Sequence, residues 1–153
     1  MSAIGDALDA MKTVIEGVTG IETVYRRVPE TMPPDVQLPA VLMRPMPSNV
    51  NMIRPRTRAV VWPVDLWLLG EKRDGDIDGG ISRVEGVPEL IIAALDLNST
   101  LNGTLDRTIE YDSPAFGSED GGAFGVIGAE GQQWVGTTIH TILTITRVGG
   151  FAA

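Results

Sequence analysis

An acidic run at positions 74–85 has the residue types and spacing of a calcium-binding loop. The segment DGDIDGGISRVE fits the pattern D-x-D-x-D-G-x5-E residue for residue. Carboxylate and backbone oxygens are the ligands that Ca²⁺ prefers, and a closing glutamate can bind the ion through both of its oxygens. The pattern therefore predicts a calcium site whose ligands are Asp74, Asp76, Asp78, Gly80, Ser82 and Glu85.

The same run also fits an ordinary connection between a strand and a helix. The residues before it, including Leu68 and Leu69, predict a strand instead of the entering helix of an EF-hand, and no second loop is present in the sequence to pair with it. Asp78 can cap a helix that starts here, and the macrodipole favours acidic residues in a first helical turn. Calcium binding and helix capping both remain open.

Catalytic groups are scarce in this sequence. It contains one histidine, His140, and no cysteine, so thiol nucleophiles and disulfides are excluded. Neither a Gly-x-Ser-x-Gly elbow nor a phosphate-binding glycine loop ending in lysine occurs. His140 lies in a strand pattern whose core-facing positions are its neighbours, which predicts a surface or interface position for it. We expect no enzymatic activity, although a hydrolase with paired carboxylates is not excluded by the sequence.

Arg54, Arg56 and Arg58 alternate along the chain, so they would share one face of a single extended strand. Such a row either forms a solvated edge or makes a contact surface. The acidic segment 71–78, which begins at Glu71, is its complement, and identical subunits in a ring could bring the two together. The predicted interface residues are Arg54, Arg56, Arg58 and Glu71.

Hydrophobic periodicity predicts the elements that position these residues. A helix is expected over 3–16, and a second helix with apolar positions from 81 to 95 is interrupted at Gly86 and Pro88. Strands are expected at 21–28, 38–43, 58–69, 105–111 and 134–148, and loops at 29–37, 71–80 and 112–133, the last a long mobile loop with a short strand near 123–127. This order predicts one α+β domain over 1–153, with a mostly antiparallel sheet and both helices packed on one face.

The segment 58–69 shows the clearest alternation. Its core face is predicted to be Val60, Trp62, Val64, Leu66 and Leu68. Pro63 has no N–H to donate, which predicts an edge strand or a bulge at that position.

Charge is unevenly distributed along the 153 residues, whose net charge is −8. Residues 1–60 contain seven basic and six acidic residues, whereas residues 61–153 contain five and fourteen. An acidic chain does not bind nucleic acid strongly through the phosphates. Neither a signal peptide nor a membrane span is expected.

These segments together resemble the tail terminator proteins of long-tailed phages with non-contractile tails. The resemblance runs through the N-terminal helix MSAIGDALDAMKTVIEG, the strands IETVYRRV and LPAVLM, and the long strand RAVVWPVDLWLLGE. It continues through an acidic loop, a helix with an internal proline, the segment LNGTLDRTIEYDSPAF and the final strand TTIHTILTITR.

The resemblance implies a structural virion protein of the tail and neck, assembled in the host cytoplasm. It implies a homo-hexameric ring that caps the head-proximal end of the tail tube, terminates tube polymerisation and joins the tail to the connector. DNA would pass through the lumen without specific binding. The segments 29–37, 49–58 and 113–133 are the candidate contacts. Alternatives are another neck, connector or tail assembly subunit, and a calcium-dependent binding module built on 74–85.

Overall fold

The computed structural model describes residues 3–29, 32–33, 35–55, 57–129 and 132–148. Three helices and seven strands occupy these ranges. In chain order they are α1 (Ala3–Glu16), β1 (Thr23–Tyr25), β2 (Ala40–Pro45), β3 (Asn49–Arg54), β4 (Thr57–Lys72), α2 (Ile77–Val84), α3 (Val87–Leu97), β5 (Glu110–Gly117), β6 (Gly125–Ala129) and β7 (Gln132–Val148).

The seven strands form one sheet in the order β1-β2-β4-β7-β5, with β3 paired to β4 and β6 paired to β7. Only the β1–β2 pair is parallel among the described strands, and the other pairs are antiparallel. The predicted α+β fold with a mostly antiparallel sheet is therefore confirmed.

Two long central strands, β4 and β7, set the frame of the sheet. They pair from Thr57 opposite Val148 to Lys72 opposite Trp134, with one irregularity between Leu69 and Glu71. Both strands agree with the prediction, and both extend a few residues beyond the predicted ends. Every other strand except β1 is hydrogen-bonded directly to one of these two.

The main core lies between the helices and one face of this sheet. Its members are fully or nearly buried apolar residues at helical or alternating spacing. They include Leu8, Met11 and Ile15 of α1, Ile91 and Leu95 of α3, and Val64, Leu66, Leu68, Ile139 and Leu143 of the sheet. Val60 and Trp62 were predicted to be buried on the core face of β4, but both are only half-buried. The helices do not cover that end of the sheet completely.

A smaller cluster lies on the opposite face. It contains Met32, Ala40, Leu42, Leu69, Ile127 and Trp134, with partly buried neighbours from the segment before β2. Leu68 and Leu69 are adjacent and both fully buried, because each faces a different cluster. The sheet is thus covered on both faces near this end.

The second predicted helix is divided as expected. α2 ends at Val84 and α3 begins at Val87, with Gly86 as its N-cap residue and a proline in its first turn. Proline is tolerated there because the first amides of a helix have no partner within the helix.

Pro63 lies in the central strand β4, so the predicted edge position is wrong. Its carbonyl oxygen accepts a hydrogen bond from the Met46 amide, on the side of β4 where β2 ends and β3 begins. The two backbone groups of a residue in an antiparallel strand point to the same side. The nitrogen of Pro63 therefore faces the break between two neighbouring strands, where no hydrogen bond is lost.

The region 98–133 departs most from its prediction. Residues 101–109 form turns and irregular structure, so the predicted strand is present only at 110–111, where β5 begins and from which it continues to 117 in the predicted loop. The short strand predicted near 123–127 overlaps β6. The expected long loop is instead a tight connection between β5 and β6. Acidic side chains close it: Glu119 accepts the Gly128 amide at 2.7 Å and Asp120 accepts the Val126 amide at 3.3 Å.

Candidate functional site

The acidic run at 74–85 contains the turn before helix α2, the whole helix and its C-cap residue. Asp76 is the N-cap residue, and its Oδ1 accepts a hydrogen bond from the Gly79 amide at 3.0 Å. Gly80 and Ser82 lie inside the helix and Glu85 is its C-cap residue, so these positions do not have the loop conformation that the calcium pattern requires. Within the described ranges, no three acidic or histidine side chains form a group able to hold a metal ion.

The geometry therefore favours the capping interpretation, with one correction. Asp76 caps the helix, whereas Asp78, the predicted cap, instead occupies the first turn. A carboxylate in a first turn is favoured by the helix macrodipole.

Asp76→Ala should lower the free energy of unfolding by about 1 kcal/mol, because it removes the side-chain acceptor of an N-cap. Asp74→Ala is the matched control, since Asp74 is exposed and its carboxylate makes no hydrogen bond or ion pair with the described residues. Urea unfolding of both variants measures the difference. An equal decrease in the free energy of unfolding for both variants would instead support a calcium-binding loop, provided that titration of calcium into chelator-treated wild-type protein also produces a heat of binding.

Glu71 is engaged within its own chain. Arg83 Nη1 donates to Glu71 Oε2 at 2.9 Å and also to the Gly70 carbonyl at 3.2 Å. The hydrogen bond from Arg83 and a second one from the Lys72 amide hold the pKa of Glu71 below its usual value. The carboxylate that was expected to meet another subunit's arginines is thus already paired with an arginine of its own chain.

Two of the three arginine positions lie on different strands of a hairpin. Arg54 ends β3 and Arg58 is the second residue of β4, so Arg54 and Arg58 do not share the single extended strand on which the three arginines would have lined one face. Arg56 and the side chain of Arg54 lie outside the described residues. The chain reverses between the two strands, and Arg54 is paired in register with Thr57.

We call residues 49–62 the arm. In the arm, Val50 pairs with Val60 and Met52 pairs with Arg58, so these four positions lie on one face of the sheet. Further along β4, the same face is covered by the helices and forms part of the main core. In the arm, Val50 is 57 % exposed and Met52 is 64 % exposed. The arm therefore presents an apolar surface to solvent.

The arm is also strongly basic. It contains three arginines and no acidic residue. The register places Arg58 opposite Arg147 on β7, so two arginine positions face each other across the strands. The described acidic residues make no salt bridge with Arg58.

A polar row crosses three strands on the opposite face of the sheet. Register places Arg44 beside Asp65 and Asp65 beside His140. His140 Nδ1 is 2.7 Å from Asp65 Oδ1, and the Arg44 guanidinium lies 5.1 Å from the centre of the Trp67 ring. These four side chains line an open groove of about 480 Å³, whose other wall includes Phe116.

The His140–Asp65 pair resembles two members of a catalytic triad, and it was not predicted. The two residues are 75 positions apart, so only the register of β4 with β7 brings them together. The sequence contained two signals for this pair. Asp65 lies in an otherwise apolar strand, and His140 lies on the non-core face of another strand. In the described part of the chain, no serine, threonine or cysteine side chain is hydrogen-bonded to this histidine ring. The pair thus has an orienting acid, and Ser118 and Thr138 line the same groove without a hydrogen bond to the ring.

Comparison with known proteins does not identify a family for this chain. No protein-family model and no curated protein sequence matches the chain. In the described ranges, no helix is long and apolar enough to cross a membrane. The proposed function therefore rests on the surfaces of the protein and on its sequence.

Proposed function

We propose that the protein is a structural assembly subunit of a phage virion that acts as a tail terminator. In this role it caps the head-proximal end of the tail tube, stops tube polymerisation and joins the tail to the connector, as a ring of identical subunits. The observation that carries the proposal is the arm, an exposed apolar and basic surface on an extension of the central strand.

The arm has the properties of an assembly contact. Exposed apolar side chains that cluster on one face mark interaction surfaces more often than chance exposure does. β4 continues from the arm into the fully buried positions Val64 and Leu66, and it pairs with β7 along its whole length. The core therefore holds the arm in one orientation, which a repeated subunit contact requires.

Charge distribution agrees with a ring around DNA. The net charge is −8 even though the arm carries three arginines, so the rest of the chain is strongly acidic. Acidic surfaces do not bind the phosphate backbone. A lumen lined by such surfaces would let DNA pass without retaining it.

The resemblance of the sequence segments to tail terminators supports the same role and selects it among assembly proteins. Another neck, connector or tail assembly subunit is the alternative within this class, and it would use the arm in the same way. We propose no enzymatic activity, since among the described residues no hydroxyl group is hydrogen-bonded to the His140 ring.

Analysis of virions tests the proposal. Mass spectrometry of purified particles from the phage that encodes this chain should detect the protein, and immunogold labelling should place it where tail and head meet. Labelling along the whole tail would indicate a tube protein, and absence from particles that contain the other neck proteins would overturn the proposal.

A further inference from the structure

Helix α3 carries a second exposed apolar surface. Leu90 is 48 % exposed and Leu97 is 87 % exposed, and Ala93 between them is exposed as well. The spacing of three and then four residues places these side chains on one face of the helix. The opposite face, with Ile91 and Leu95, is fully buried in the main core.

Acidic residues border this surface. Glu89 and Asp96 are exposed and lie next to Leu90 and Leu97 in the sequence. Neither carboxylate makes a salt bridge with the described residues. We call the set Leu90, Ala93 and Leu97 with Glu89 and Asp96 the α3 stripe. It differs from Glu71, whose carboxylate is already paired with Arg83.

The arm and the α3 stripe are complementary in two respects. Both are apolar, and the arm has three arginines in its sequence, of which Arg58 lies on its apolar face, whereas the stripe is bordered by carboxylates. Their high exposure shows that they do not cover each other within one chain. Contact between two arms would bring arginines together, and contact between two stripes would bring carboxylates together, so both symmetric pairings are disfavoured electrostatically.

We infer that the arm of one copy docks on the α3 stripe of a second copy. The contact uses two different surfaces, so each copy retains one free arm and one free stripe, and repetition gives a closed ring or a filament. The inference rests on the proposed assembly role, and it places Glu89 and Asp96 opposite the arm, where the sequence analysis placed the acidic segment 71–78.

Cysteine cross-linking tests this contact directly, because the chain contains no cysteine of its own. Met52→Cys and Leu97→Cys proteins are prepared separately, mixed in equal amounts and oxidised. The mixture should give a cross-linked dimer. Ile77→Cys is the matched control for the stripe, since Ile77 is also apolar and is 47 % exposed but lies on α2. Met52→Cys mixed with Ile77→Cys should give little product.

A charge exchange provides a second measurement. Arg58→Glu and Asp96→Arg should each weaken self-association about tenfold or more, because each places like charges across the contact. An equal mixture of the two should recover association, since every junction between the two variants restores an opposite-charge pair. Sedimentation velocity measures association, and circular dichroism checks that both variants are folded.

Three results would overturn the inference. These are equal cross-linking with Leu97→Cys and Ile77→Cys, efficient cross-linking of Met52→Cys with itself, and a wild-type protein that stays monomeric at its highest soluble concentration. None of them bears on whether the protein is present at the neck of virions. Failure of the contact is therefore distinguishable from failure of the proposed function.

Discussion

Gly136→Ala is expected to destabilise the protein more than any other conservative substitution considered. Gly136 is buried in β7, opposite Leu69 of β4. A Cβ atom at this position would overlap the carbonyl oxygen of Leu68 and lie 2.9 Å from its carbonyl carbon. Both atoms belong to the backbone of the central strand, so they cannot move aside as a side-chain end would.

The free energy of unfolding should fall by about 3 kcal/mol or more, which is a large part of the stability of a domain of this size. Gly117→Ala is the matched control, because Gly117 is also a strand residue but no atom lies within 4 Å of the point that an added Cβ would occupy. It should change stability by less than about 0.5 kcal/mol. Urea denaturation of both variants gives the comparison, and equal stabilities would contradict the close approach of β7 to β4.

Gly70→Ala should have the second largest effect. Gly70 lies at the irregularity in β4 where helix α2 crosses the strand. Its added Cβ would overlap the Gly80 carbonyl oxygen and lie 2.8 Å from Val84 Cγ1. Helix α2 would have to move away from the sheet, at a cost of about 2 kcal/mol.

Hydrogen exchange gives the local measurement for this variant. Amides of residues 77–85 should exchange faster in Gly70→Ala, while those in the middle of β7 should change little. Gly86→Ala is the control, since the space around Gly86 is open and its backbone, at φ −94° and ψ −8°, is in the right-handed helical region that alanine adopts without strain. Unchanged exchange in α2 would show that the helix does not depend on this close contact.

Local sequence patterns predicted the elements that depend on local interactions. The helix over 3–16 has the same limits in the structure, and Gly86 with Pro88 divides the second helix where expected. The alternation in 58–69 identified a long strand with Val64, Leu66 and Leu68 in the core. Each of these features follows from periodicity or from a backbone restriction that a few neighbouring residues determine.

Features that depend on strand register were not predictable in this way. Gly136 meets Leu68, and His140 meets Asp65, only because β4 and β7 pair in one particular alignment. Most of strand β5 was missed because Pro114 and the acidic residues around it have low strand propensity. Pairing with β7 overrides that propensity.

The two sides of the proposed contact were assigned from charge. The arginines 54–58 were predicted to form a contact surface or a solvated edge, and the chain reversal between β3 and β4 was not predicted. The acidic partner was assigned to the segment 71–78 because of its charge alone, and Glu71 is the first residue of that segment. Its ion pair with Arg83 is a contact over 12 positions that charge counting cannot show.

The number of copies per virion tests the assembly role most directly. Quantitative mass spectrometry can compare this protein with the connector protein and the tail tube protein in particles of different tail length. A terminal ring predicts a constant ratio to the connector at every tail length. A copy number that rises in proportion to the tube protein, or absence from particles that hold both of the other proteins, would contradict the account.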